Sequence, residues 1–122
     1  MANEMYSIKT DTAKKRFIIE LNGFFQLEKA EQFVKDYSLA LAQFKPSEYS
    51  FLIDARSLAV LKPEILPVLS QCYQLYTSSG FKKMVFVEPT VVSAKMQVKR
   101  IAKESNLSAV FVPSLEDAEK EL

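Results

Sequence analysis

The spacing of apolar residues changes at Asn22-Gly23, and that change constrains what the chain can become. Before it, Phe17, Ile19 and Leu21 alternate with Ile18 and Glu20, the pattern of a strand with one face on a core. After it, Ala30, Phe33, Val34, Tyr37, Leu41 and Phe44 recur every three or four residues, with Glu28, Glu31, Lys35 and Asp36 opposite, which predicts a helix over Leu27–Phe44. A chain that keeps switching between these two periods must stack helices on a sheet.

This chain does keep switching. Residues 6 to 11 and 16 to 22 form β-leaning runs that Asp11-Thr12-Ala13-Lys14-Lys15 joins into a hairpin. Pro46 and Ser47 end the first helix, and Tyr49-Ser50-Phe51-Leu52-Ile53 follows as an apolar run suited to a central strand covered on both faces. Asp54 is expected to close that strand, with a loop over residues 55 to 62. Pro63 and Pro67 are tolerated only near a helix start, so the second helix begins late. Its stripe is Ile65, Leu66, Leu69, Cys72, Tyr73 and Tyr76, and Gly80 terminates it. Strand Lys83–Val87 is broken by Glu88-Pro89-Thr90. A third helix from about Val92 to Glu104 turns Ala94, Val98, Ile101 and Ala102 inward until Asn106 stops it. Ala109–Val112 is the last strand. After Pro113, Ser114 caps a short acidic helix with Asp117 three residues on.

The resulting order is ββαβαβαβα. It implies an α/β fold: a mixed, mostly parallel sheet with an N-terminal antiparallel hairpin and helices packed on at least one face. At 122 residues, with no repeat, low-complexity stretch or linker, residues 1–122 are expected to form one domain.

What composition excludes is sharper than what it suggests. The chain has no histidine, so the commonest general base and metal ligand is missing, and with it serine–histidine and cysteine–histidine nucleophile systems. One cysteine, Cys72, permits no internal disulfide and no all-cysteine metal cage. Two glycines, Gly23 and Gly80, exclude Gly-rich phosphate cradles. No acidic cluster has calcium-loop spacing. No cofactor is therefore expected, and no enzyme activity. Lysine plus arginine total 16 against 15 acidic residues, a net charge of +1 that gives no field for nucleic acid. No apolar stretch approaches the roughly 20 residues that span a bilayer, and MANEMYSIKT lacks the features of a secretory signal, so a cytoplasmic protein without membrane insertion is expected.

The strand Phe51-Leu52-Ile53-Asp54 and the tail Val110-Phe111-Val112-Pro113-Ser114-Leu115-Glu116-Asp117-Ala118, set within this element order, resemble the STAS family of anti-sigma-factor antagonists and transporter tails. The resemblance spans almost the whole chain. It implies a regulatory, protein-binding module of bacterial type, acting through the segment from Asp54 to Pro63 and the helix after it. In members that act as phosphorylation switches, an aspartate-serine-serine-glycine segment follows that aspartate. The corresponding stretch here, Leu61-Lys62-Pro63-Glu64-Ile65, holds neither serine nor glycine, and Ser57 lies too early to replace the serine. Receiver domains also place an aspartate after a central strand. They need an acidic pair after the first strand and a lysine after the last, where this chain has a hairpin turn and Pro113.

Ligands of open α/β sheets gather beyond the carboxyl ends of the parallel strands. That edge would carry Asp54, Arg56, Ser57 and Lys62, then Glu88, Thr90 and Ser93, then Ser114. Arg56 could hold a carboxylate or phosphate by a two-pronged bond, or could simply pair with Asp54, whose carboxylate would also accept from its own loop. Lys95, Lys99 and Lys103, with Arg100 beside them, predict a basic stripe on the third helix, either a solvated face or a docking surface for an acidic partner. No aromatic interleaves them as nucleic-acid stacking would require. The nine Phe and five Tyr residues can fill a core or line an apolar cleft, and a small-molecule or lipid carrier with a cleft between the second and third helices is the alternative to a protein-binding module. A protein partner could include a second copy of the chain. Cys72 faces the core and is expected to be an inert, buried thiol.

Overall fold

The computed structural model describes residues 5–122. Its elements run β1 (Tyr6–Asp11), β2 (Arg16–Gly23), α1 (Leu27–Leu41), β3 (Ser50–Leu58), α2 (Leu66–Ser79), β4 (Lys83–Val87), α3 (Val92–Glu104), β5 (Val110–Val112) and α4 (Leu115–Glu121), the predicted order. Short 3-10 turns over Pro46–Glu48 and Pro63–Ile65 precede β3 and α2. The five strands form one sheet in the order β1-β2-β3-β4-β5, antiparallel at β1–β2 and parallel elsewhere.

Local chemistry sets the breaks. In the hairpin turn the Asp11 carboxylate accepts the Lys14 backbone N–H at 3.0 Å, and Lys15 takes φ of 57° to bring the chain back. Gly23 and Gly80 adopt φ of 66° and 78° and Asn106 φ of 56°, the left-handed conformations that end β2, α2 and α3. Ser114 Oγ accepts the Asp117 N–H at 3.1 Å while its hydroxyl donates to Asp117 Oδ2 at 3.0 Å, so the expected cap closes α4.

Two boundaries differ from the sequence expectation. The first helix stops at Leu41, yet Phe44 still reaches the core, its ring centroid 5.1 Å from that of Phe17. More consequentially, β3 does not close at Asp54 but continues to Leu58. It carries a bulge: Glu20 pairs with Asp54 but Asn22 with Ser57, so three steps of β3 oppose two of β2. The extra residue breaks strict alternation. Ala55 and Leu58 both turn into the core while Arg56 and Ser57 stay exposed.

The sheet is covered unequally. On one face α1, α2 and α3 bury a large core in which Phe17, Phe51 and Phe86 of the sheet meet Tyr37, Tyr73 and Val98 of the helices. The aromatics are packed rather than exposed: Phe51 lies edge-on to Tyr76 at 4.9 Å and 4.6 Å from Phe81. On the other face α4 alone covers Leu52, Val85, Val87 and Val112, with Ala118 fully buried against them. β3 and β4 are thus buried on both sides, which is why Phe51-Leu52-Ile53 is a continuous apolar run. No helix of the described residues is long and apolar enough to cross a membrane.

Candidate functional site

The parallel strands β2, β3 and β4 end side by side, and the segments leaving them make one edge. The Ala59 N–H donates to the Gly23 carbonyl at 3.0 Å, and the Thr90 N–H and hydroxyl both donate to the Arg56 carbonyl, at 3.3 and 3.2 Å. These bonds hold the exits of β2 and β4 against the far end of β3.

Polar residues expected at this edge are largely engaged with one another. Asp54 is buried, and its carboxylate accepts from Arg56 three times: from the backbone N–H at 3.2 Å, from Nε at 2.9 Å and from Nη2 at 2.9 Å. The two-pronged capacity of Arg56 is therefore spent on its own neighbour two residues back, and it does not stand free for a ligand carboxylate or phosphate. That hydrogen bonding to Asp54 raises the already high pKa of the Arg56 guanidinium. Glu88 pairs with Lys99, which removes one member of the basic stripe, and Lys99 also lies 5.8 Å from the Phe111 ring centre. Arg100 lies 3.9 Å from Glu104 one turn on, while Lys95 is half-buried and Lys103 exposed. Ser57, Lys62, Thr90 and Ser93 are exposed. Ser114 is occupied as a helix cap.

What the sequence reading missed is apolar. Phe24 after β2, Val60 after β3, Val91 and Val92 after β4, and Met96 one turn into α3 all face solvent, with Phe24, Val92 and Met96 at 58, 63 and 66% exposure. Phe24, Val60, Val91 and Val92 lie one to five residues beyond the ends of β2, β3 and β4, and Met96 one turn into α3; Leu39 on α1 is exposed as well. The signal was present in Val91-Val92 and Met96, which precede or interrupt the buried stripe Ala94, Val98 and Ile101.

A Gln97 side chain joins this edge together. Its Oε1 accepts the Leu61 N–H at 2.7 Å and its Nε2 donates to the Leu61 carbonyl at 2.8 Å, so α3 grips the segment between β3 and α2 as a neighbouring strand would. Behind Leu61 lies an apolar cavity. It sits among α1, the Pro63–Ile65 turn and α2, not between α2 and α3 as the sequence suggested. Those two helices are drawn together by a 3.3 Å bond from the Tyr73 hydroxyl to the Val98 carbonyl and by Ser70 against Ser105. Cys72 borders the cavity, and burial pushes its thiol up to about 12, so it stays neutral. Among the described residues no three His, Cys, Asp or Glu side chains gather as a metal site would need.

The arrangement of sheet and helices has counterparts among solved structures. Over 100% of this chain and 98% of the other, it matches an uncharacterised protein with a SpoIIAA-like fold from Shewanella loihica PV-4, at 20% identity and a TM-score of 0.66. The fold is STAS-like. It also matches the anti-sigma factor antagonist SpoIIAA in its unphosphorylated form, at 15% identity, 95% coverage of both chains and a TM-score of 0.59. An anti-sigma factor antagonist from Mycobacterium paratuberculosis aligns at 18% identity, 95% coverage of this chain, 92% of that one, and a TM-score of 0.57. No protein-family profile and no curated protein sequence matches the chain. The STAS-like architecture therefore rests on structure.

Proposed function

We propose that this chain is a non-enzymatic regulatory module of one domain, working in the cytoplasm, which binds a protein partner at the carboxyl edge of its sheet. The segment from Asp54 to Pro63, the start of α2 and the first turns of α3 supply the surface. The observation that carries the reading is the solvent-facing apolar rim of Phe24, Val60, Val91, Val92 and Met96, the kind of patch a partner would cover. The fold shared with anti-sigma factor antagonists adds support by analogy of scaffold. Leu61-Lys62-Pro63-Glu64-Ile65 offers no serine to phosphorylate, so recognition here rests on shape and apolar area, with Lys62, Ser57 and Ser93 at the polar margin.

The test is affinity capture from host lysate with the wild type and a Phe24→Ser, Met96→Ser double variant. Both side chains are mostly exposed, so the variant should keep its fold. A partner retained by the wild type and lost by the variant is the expected result. A partner held equally by both removes the site, and no partner at all removes the function.

A further inference from the structure

The sheet has two lateral edges, and β1 forms one of them. The Asn22 N–H donates to the Met5 carbonyl at 2.8 Å, which fixes the phase of the antiparallel ladder: Ser7 and Lys9 bond to β2, and the backbone groups of Ile8 and Thr10 turn outward, away from it. An open groove runs along this edge, lined by Tyr6, Ser7, Ile8, Asp36 and Ala40, and the Tyr6 hydroxyl donates across it to the Asp36 carboxylate. Leu39, three residues after Asp36 and next to Ala40, shares that side of α1 and is 68% exposed. A strand added beside β1 would pair with the outward N–H and C=O groups of Ile8 and Thr10 and set its own side chains under Leu39.

The charges on the other face of β1 select the strand that fits. Ser7 and Lys9 stand opposite Glu20 and Ile18 of β2, on the face away from α1, and the Ser7 hydroxyl donates to Glu20 Oε1 at 3.3 Å. Neither Lys9 nor Glu20 has an ion-pair partner among the described residues. Let a second copy of β1 lie antiparallel to the first about a two-fold axis at Ile8. Ile8 then pairs with the partner's Ile8, Thr10 stands opposite the partner's Tyr6, and Lys9 stands opposite the partner's Ser7. Serine is small, so the lysine reaches past it to the partner's Glu20, and symmetry repeats the contact. An axis at Lys9 would instead set the two lysines against each other. A lysine on an edge strand deters any strand that offers it no carboxylate, and this partner offers one.

We propose that β1 is a homodimerisation edge, at which two copies of the chain pair antiparallel about Ile8 and join two five-stranded sheets into one. The pairing uses a lateral edge of the sheet, so it stands whether or not the apolar residues beyond the strand ends bind a partner.

The experiment is sedimentation velocity of the full chain from about 1 µM to about 1 mM, the range in which small interfaces associate and dissociate, with amide exchange read by NMR at both ends of it. A reversible shift from monomer to dimer is expected. The Ile8 and Thr10 amides should slow as the dimer forms, while those of Ser7 and Lys9, already in the β2 ladder, should not change. Thr10→Pro deletes an outward N–H, leaves the ladder between β1 and β2 intact, and should weaken the dimer about tenfold or more. Lys9→Glu should weaken it by a similar factor, and adding Glu20→Lys should restore it to within about threefold of the wild type. A chain that stays monomeric overturns the proposal and leaves this edge to a strand from another protein. A dimer equally tight in Thr10→Pro and Lys9→Glu, or one that leaves the Ile8 amide unprotected, overturns the edge as its interface. Failure of the charge swap to restore pairing overturns the register.

Discussion

At the scale of single residues, Asp54 shows how a side chain that looks functional can be structural. It is the charged residue among those described that is buried, and Arg56 supplies both its counter-charge and three of its hydrogen bonds. Removing the guanidinium strands a carboxylate out of water, whereas removing the charge of the acid leaves Arg56, 45% exposed, to be hydrated. Arg56→Ala should therefore lose about 1–3 kcal/mol, towards the lower end because Arg56 is half in solvent, and Asp54→Asn should lose less. Urea midpoints at equal m-values give the comparison, and the reverse ranking would mean that the pair is not what holds this end of β3. A second residue-scale consequence concerns alkali. Burial raises the Cys72 thiol from 9.0 to about 12 and raises Tyr37, Tyr73 and Tyr76 above the tyrosine value of 10.0. Each stays protonated in the folded chain while its unfolded counterpart ionises. The stability they protect is full below pH 9 and falls as pH rises towards 12 and beyond. The slope is on the order of 1.4 kcal/mol per pH unit for each group engaged. In denaturation curves taken between pH 8 and 11, Cys72→Ala should move the onset of loss from near the thiol value of 9.0 to near the tyrosine value of 10.0.

At the scale of elements, the caps and turns were the most legible features because their chemistry is local. Ser114→Ala removes the acceptor for the Asp117 N–H and should cost about 1 kcal/mol, visible as faster amide exchange in α4 with α2 unaffected. At Gly80, where φ is 78° and an added Cβ would meet nothing within 4 Å, alanine should cost about 1 kcal/mol of backbone strain alone. Asn106→Gly, at φ of 56°, should stay within about 0.5 kcal/mol of the wild type, and a thermal unfolding series separates the two. Element order, the hairpin and the late start of α2 were all visible in periodicity and proline placement. The length of β3 was not, since the bulge between Asp54 and Ser57 destroys the alternation by which a strand is recognised, and Ala55-Arg56-Ser57 then resembles a loop. What the sequence did not show at this edge is which of its side chains pair. The pairing of Arg56 with Asp54, two residues apart, was among the readings the sequence offered, whereas that of Glu88 with Lys99 depends on the folded register. Gln97 was silent for the same reason: a glutamine on a polar helical face gives no sign that its amide will clasp a backbone segment 36 residues away.

For the whole molecule, the unequal covering of the sheet predicts an order of opening. β3 has a parallel partner on either side and buried residues on both faces, so its backbone cannot reach water without loss of the entire core. β1 pairs on one side only, and α4 is a seven-residue helix that covers its face alone. Aromatic packing adds to the difference, since Phe51 on β3 meets Phe17, Tyr76 and Phe81, and such rings make Phe51→Ala a loss of about 3–5 kcal/mol. Detaching α4 would expose the small core of Leu52, Val85, Val87 and Val112 with Ile18 beside it, and Arg16–Glu119 and Lys83–Glu121 are partly solvated ion pairs that resist little. Native-state hydrogen exchange in dilute denaturant should therefore show amides of Leu52 and Ile53 opening only with global unfolding, at the full free energy. Those of α4 and the outer half of β1 should open several kcal/mol sooner, through events whose denaturant dependence is small because little surface is exposed. If α4 amides were instead protected to the global limit, the small core beneath it would have to be an integral part of the main cooperative unit. The two faces of the sheet would then fold as one despite their difference in size.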